Sequence, residues 1–220
     1  MGLQRILFVM CVNNEALFQQ AKRQIANLFI PPGFTVELYE VRNAKSMASG
    51  YNCAFQLEAT YRIFIHQDTF LIHQGMIYDL IRLFDRHPQL GMIGLAGCVE
   101  LPSSGIWWEG ERLVGQVIEH RSDRYQLLRF DHGARESTDY VEVEAIDGLF
   151  MATSVHFPWR NDVFDGFHFY DSAHSKEMAL AGYVVGVPVL QSPWCIHYNG
   201  DEFDHVSYER YRKLFVRHYM

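Results

Sequence analysis

With 220 residues, 49% of them hydrophobic and 20% charged, the chain can bury one substantial core and is not charged enough to stay disordered. A formal net charge of -7, with no dense Lys/Arg cluster, argues against a nucleic-acid-binding surface. Its longest apolar runs, Ile6 to Val12 and Leu90 to Val99, fall far short of the ~20 residues that a membrane-crossing helix needs.

Ile6 to Val12 predicts a fully buried strand rather than a signal peptide, because no small-residue cleavage site follows it. Leu17, Phe18, Ala21, Ile25 and Leu28 then share one helical face, capped by Asn13 or Asn14 and ended by Pro31, Pro32 and Gly33. Phe34 to Val41 predicts a second strand, 48–59 a helix and Arg62 to His66 a third strand. A helix is expected from Thr69, with Ile72, Met76, Ile77, Leu80, Ile81 and Phe84 inward and Pro88 closing it. Gly91 to Cys98 predicts a fourth buried strand. Such alternation implies an α/β fold with a mostly parallel central sheet flanked by helices. Ligands in these folds sit beyond the carboxyl ends of the strands. Here those ends are Cys11-Val12-Asn13, Val41-Arg42-Asn43 and His66-Gln67-Asp68.

The pattern changes after Cys98. Residues 99–140 hold Trp107, Trp108 and the alternating stretches Leu113 to Ile118 and Tyr125 to Phe130, which predict one or two inserted β-hairpins. A half-exposed strand over 141–145 leads through Asp147-Gly148 into Leu149 to Thr153. A helix is expected over 175–181, a strand over 184–190 and a terminal helix over 207–218. No linker or repeat interrupts the chain, so 1–220 reads as a single domain. Cys11, Cys53, Cys98 and Cys195 form no C-x-x-C pair and read as buried thiols in a reducing, cytosolic setting.

Three segments could carry chemistry. In Arg62 to Asp68, apolar residues run directly into His66 and Asp68, and a carboxylate at a strand end can hold Mg²⁺ or Mn²⁺ against a diphosphate. The same Asp would serve equally well as a helix cap. His197, after the strand over 184–190, could return a nitrogen ligand to that metal, although one of 11 His residues has many ordinary roles. Asp171, between the aromatic run Phe167 to Tyr170 and a helix, could be a general base kept ionised by the helix end, or simply a cap. Trp107 and Trp108, placed together on a hairpin, could stack on a sugar or pack on the core. No G-x-G-x-x-G, Walker loop, H-E-x-x-H or G-x-S-x-G occurs.

Together, "ILFVMCVNNEALF", "SMASGYNCAFQLEATYRIFIHQD", "AIDGLFMAT" and "FDGFHFYDSAHSKEMALAGYVVGVPVLQSPWCIHYNG" resemble the family 2 glycosyltransferases, and more closely a bacterial GT-A-type branch. The resemblance covers most of the chain. It implies the GT-A fold, with 1–98 a nucleotide-binding half and 99–220 an acceptor-side half. It implies Mn²⁺ or Mg²⁺ held by Asp68 and His197, with His66 standing where the family's metal motif has its first Asp. Donor contacts are implied at Val12, Asn13, Glu15, Arg42, Asn43, Met47, Asn52, His66 and Gln67, and acceptor-side roles at Trp107, Trp108 and Gly148. Asp171 takes the place of the base, without the acidic neighbour that often accompanies it. The implied reaction is inverting transfer from a nucleotide-diphosphate sugar to a hydroxyl of a saccharide or other acceptor, lipid-linked ones included. The expected location is the cytoplasm, either free or peripheral to the membrane. The alternatives are a catalytically silent sugar-nucleotide binder and a His/Asp metallohydrolase.

Overall fold

A computed structural model of the chain describes residues 2–131, 139–200 and 203–220. The stretch 132–138 of the expected hairpin region lies outside the described residues. The first half runs β1 (Gln4–Val12), α1 (Glu15–Ala26), β2 (Phe34–Arg42), α2 (Met47–Asn52), β3 (Tyr61–Ile65), β4 (Thr69–Leu71), α3 (Met76–Arg86), β5 (Leu90–Gly94) and β6 (Ala96–Cys98). The second half runs β7 (Leu113–Arg121), β8 (Arg124–Asp131), β9 (Tyr140–Glu142), β10 (Ala145–Ile146), β11 (Phe150–Thr153), α4 (Tyr170–Leu180), β12 (Val184–Pro188), β13 (Cys195–Tyr198) and α5 (His205–Tyr219).

The larger sheet has the order β2-β1-β3-β11-β5-β12-β9. Strands β2, β1, β3, β5 and β12 point the same way, and β11 and β9 run against them. β1 lies inside this sheet, and Ile6 to Met10 are wholly inaccessible, so both of its faces are covered. Asn14 caps α1 by accepting from the backbone N–H groups of Ala16 and Leu17, which turns Phe18, Ala21 and Ile25 inward. Among the described residues no helix is long and apolar enough to cross a membrane.

Four expectations need correction. Gly91 to Cys98 is not one strand: β5 belongs to the larger sheet, and after Leu95 the chain enters a second sheet as β6. Gly115, at φ +105, lies so close beneath that crossing that an added Cβ would sit 2.1 Å from the Leu95 carbonyl oxygen. Thr69 begins a strand rather than a helix, and α3 starts only at Met76. The helix expected over 48–59 ends at Asn52 and gives way to tighter turns, such as Phe55 N–H to Asn52 O at 3.0 Å. Lastly, Cys53 is exposed rather than buried.

The second sheet has the order β10-β6-β7-β13-β4, with β8 paired to β7. The expected hairpin is β7–β8, closed by a two-residue turn at Ser122 and Asp123, both at positive φ, the geometry that matches strand twist. α5 caps itself through Asp204, buries Tyr211 and Phe215, and brings Tyr208 to the site described next.

Candidate active site

The site begins where β3 stops. After Ile65 the chain turns through His66-Gln67-Asp68 into β4, and β4 pairs antiparallel with β13. That register sets His197 opposite Thr69, one residue from Asp68, and the Tyr198 N–H donates to the Asp68 carbonyl at 2.7 Å. His197 Nε2 comes to 3.6 Å from Asp68 Oδ1, and His66 Nδ1 to 3.9 Å. One ligand atom from each residue can lie within 4.8 Å of the others.

Asp68 Oδ1 is buried and has no hydrogen-bond partner among the described residues, an arrangement that is costly unless something else satisfies the oxygen. Burial holds His66 below its ordinary pKa, so its imidazole stays neutral with a lone pair to give. Its Nε2 is hydrogen-bonded to Tyr170 Oη, which leaves Nδ1 on the Asp68 side. One carboxylate and two imidazoles fit a divalent transition metal such as Mn²⁺, and the three residues could hold one.

The second group gathers at the start of α4, which begins five residues before the expected Ser175 and so takes Asp171 into its first turn. Phe169, at φ 60, turns the chain into that helix. Asp171 Oδ1 accepts from Ser172 N–H at 2.8 Å, and Oδ2 accepts from Gly148 N–H at 2.9 Å. Despite these bonds, burial and then the negative charge of Asp147 push the Asp171 carboxyl up to about 7. The helix end therefore does not keep it fully ionised at neutral pH. Gly148 fits because it lacks a side chain, since a Cβ would lie 2.2 Å from Tyr170 Oη and 3.1 Å from Asp171 Oδ2.

Both groups open into one cavity of about 1020 Å³. Its lining includes His66, Asp68, His197, Asp147, Asp171 and Tyr208, and also Trp107 and Trp108. The two tryptophans form a short 3-10 turn ahead of the hairpin rather than a pair on it. Trp107 is 8% exposed and packs edge-on to Phe130, while Trp108 is 47% exposed and lies 5.6 Å from the Tyr208 ring.

The remaining donor-side candidates sit outside that lining. Gln67 accepts from the backbone N–H groups of Asn13 and Asn14, both at 2.9 Å, and its amide N–H donates to Asn13 Oδ1, tying the metal-side turn to the end of β1. Val12 and Arg42 are register partners at the ends of β1 and β2, and Arg42 pairs with Glu15 at 2.9 Å. Asn43 takes a left-handed conformation at φ 56, and Met47 is buried in the core. Asn52 holds the 159–161 segment: its amide N–H donates to the Trp159 carbonyl at 2.8 Å, and its oxygen accepts from the Trp159 N–H at 2.9 Å. Sequence reasoning missed Asp147, Tyr170 and Tyr208. For Asp147, the Asp-Gly dipeptide at the foot of β11 is the one local signal.

The sequence profile described as "Glycosyltransferase like family" matches residues 7–219. The chain belongs to that family. No curated protein sequence matches it. Among solved structures, the mannosyltransferase PcManGT from Pyrobaculum calidifontis, in complex with GDP-Man and Mn²⁺, aligns with a TM-score of 0.54 at 12% identity over 97% of this chain. GalNAc-T7 with UDP, GalNAc and Mn²⁺ aligns with a TM-score of 0.61 at 8% identity over 97%. S. aureus TarS 1–349 aligns with a TM-score of 0.55 at 9% identity over 89%. This glycosyltransferase-family chain spans 61%, 47% and 60% of those three chains. Identities this low establish the shared GT-A fold and nothing finer.

Proposed function

We propose that the chain transfers a sugar from a nucleoside-diphosphate sugar to an acceptor hydroxyl, with inversion at the anomeric carbon. The observation that carries this reading is that the Asp68–His66–His197 cluster and Asp171 face one cavity in a chain of the glycosyltransferase family. The GDP-Man and Mn²⁺ held by PcManGT, and the UDP, GalNAc and Mn²⁺ held by GalNAc-T7, support the donor class. Asp68, His197 and His66 would hold a divalent cation, which when bound supplies positive charge against the diphosphate leaving group.

The chain's own residues do the rest. Asp171 takes the proton from the acceptor hydroxyl as its oxygen attacks the anomeric carbon. A base with a pKa near working pH combines a usable ionised fraction with real proton affinity, and Asp171 meets that condition because burial and Asp147 oppose its ionisation. Gly148 and Ser172 fix the carboxylate through their N–H groups. Trp108 and Tyr208 offer the aromatic surface on which a sugar ring can stack. Asn13, Glu15, Arg42 and Gln67, at the ends of β1, β2 and β3, are the proposed nucleotide end.

A panel of UDP-, GDP- and dTDP-sugars with Mn²⁺ tests the proposal. At least one donor should raise the melting temperature in a Mn²⁺-dependent way, and the same donor should support transfer or slow hydrolysis. A protein that responds to none of them, with or without Mn²⁺, contradicts the proposal.

A further inference from the structure

A second, much smaller cavity lies on the far stretch of β3, away from the cation site. It is lined by Arg62, Thr153, Trp159, Tyr51, Phe55 and His156 among others, and the space open to the centre of a small occupant is about 10 Å³, room for one water or one small ion. Arg62 and Thr153 face each other across the β3–β11 ladder. Arg62 is 6% exposed and Thr153 2%.

The guanidinium of Arg62 is a permanent cation, yet no carboxylate pairs with it among the described residues. One Nη donates to the Leu57 carbonyl at 2.6 Å and contacts His156 Nδ1 at 3.3 Å. Burial, and then the positive charge of Arg5, disfavour its charged form. Its Nε–H is buried with no partner among the described residues, and so are the Thr153 hydroxyl and the Trp159 indole N–H. A buried guanidinium without an anion is strongly unfavourable, and unpaired buried donors add to the cost.

Each of these unpaired groups can donate, the Thr153 hydroxyl can also accept, and one group carries positive charge. A water molecule there could hydrogen-bond to these groups but would leave the guanidinium charge without a counter-charge. A monatomic anion accepts from all of them and also neutralises the guanidinium. We propose that Arg62 and Thr153, with the Trp159 indole beside them, form a binding site for one halide-sized anion, chloride in ordinary solution. The anion clamps β3 to β11, the two strands whose ends carry His66 and Gly148.

The test compares melting temperatures in sodium chloride, sodium bromide and sodium gluconate at one ionic strength, together with ³⁵Cl NMR line widths. Wild-type protein should melt about 2–4 °C higher in roughly 200 mM chloride or bromide than in gluconate, and it should broaden the chloride line. Arg62→Met should lose both responses. Thr153→Val removes only the hydroxyl and keeps the side-chain shape, so it folds even if the Arg62 variant does not. It should need several-fold more halide for the same shift. Bromide-soaked crystals should show one anomalous peak beside Arg62 Nε. Equal wild-type melting in chloride and gluconate overturns the proposal, as does a full halide response in both variants. Ordinary water density without anomalous signal at that position overturns it as well.

Discussion

Asp171→Asn keeps the side-chain shape and removes its ability to ionise, so it isolates the proposed base. Folded Asp171 titrates near 7, against an ordinary value of 3.8, because burial and Asp147 resist its charge. The sign follows directly. Below about pH 4 the carboxyl is protonated in both the folded and unfolded chain, and its contribution to stability is fully present. As pH rises toward 7 the unfolded chain ionises first, and stability falls by at most ~1.4 kcal/mol per pH unit, levelling off above 7. Contact with cavity water trims this slope. Urea unfolding of metal-free wild type and Asp171→Asn from pH 4.5 to 8 should therefore show the difference between them growing through that window, in the variant's favour. In turnover, wild-type kcat/KM should rise up to tenfold per pH unit below the titration and then flatten. Mn²⁺ adds positive charge to the same cavity and moves this limb toward lower pH. The variant should be slower by roughly 10²–10⁴ while still binding the donor. Near-normal transfer by Asp171→Asn refutes the assignment. A donor-affinity loss as large as the turnover loss moves Asp171 to the donor site.

Gly148→Ala would drive a methyl into Tyr170 Oη and against Asp171, so it should cost about 1–3 kcal/mol by overpacking and cut transfer at least tenfold, read by denaturation and by rate. His197→Ala should weaken Mn²⁺ binding in calorimetry more than His66→Ala does; the reverse order would shift the site toward the His66-Gln67-Asp68 triplet and favour hydrolytic metal chemistry. Asn52→Ala strips the bonds that hold Trp159 and should cost about 1–3 kcal/mol in denaturation with nucleotide affinity unchanged. A selective loss of nucleotide binding would instead make Asn52 a donor contact.

The elements legible in the sequence were those whose cause is local. Ile6 to Val12 is continuously apolar because both of its faces are covered, and α1 carries its cap and its apolar face in its own residues. His66 and Asp68 stood out as ligand-type side chains directly after an apolar strand. What the sequence hid depends on distant partners. Thr69–Leu71 looks like the start of the helix whose periodicity follows it, and it is a strand only because Cys195–His197 lies alongside. That pairing is also what brings His197 to Asp68. Leu90 to Cys98 reads as one apolar run, and nothing local marks the change of sheet at Leu95. α4 buries Ser172, His174 and Ser175, so its early turns show no apolar periodicity. Asp147 lies 24 positions before Asp171 in the sequence, and only folding makes it the charge that helps raise the pKa of the proposed base.

The most direct test of the central claim is calorimetric titration of a responsive nucleoside-diphosphate sugar into wild type and Asp68→Ala, each with and without Mn²⁺. Wild type should bind the donor at least tenfold more tightly with Mn²⁺ than without it, because the carboxylate repels the diphosphate unless a cation lies between them. Asp68→Ala should lose that Mn²⁺ dependence altogether. Unchanged, Mn²⁺-dependent donor affinity in Asp68→Ala would contradict a donor site built on Asp68.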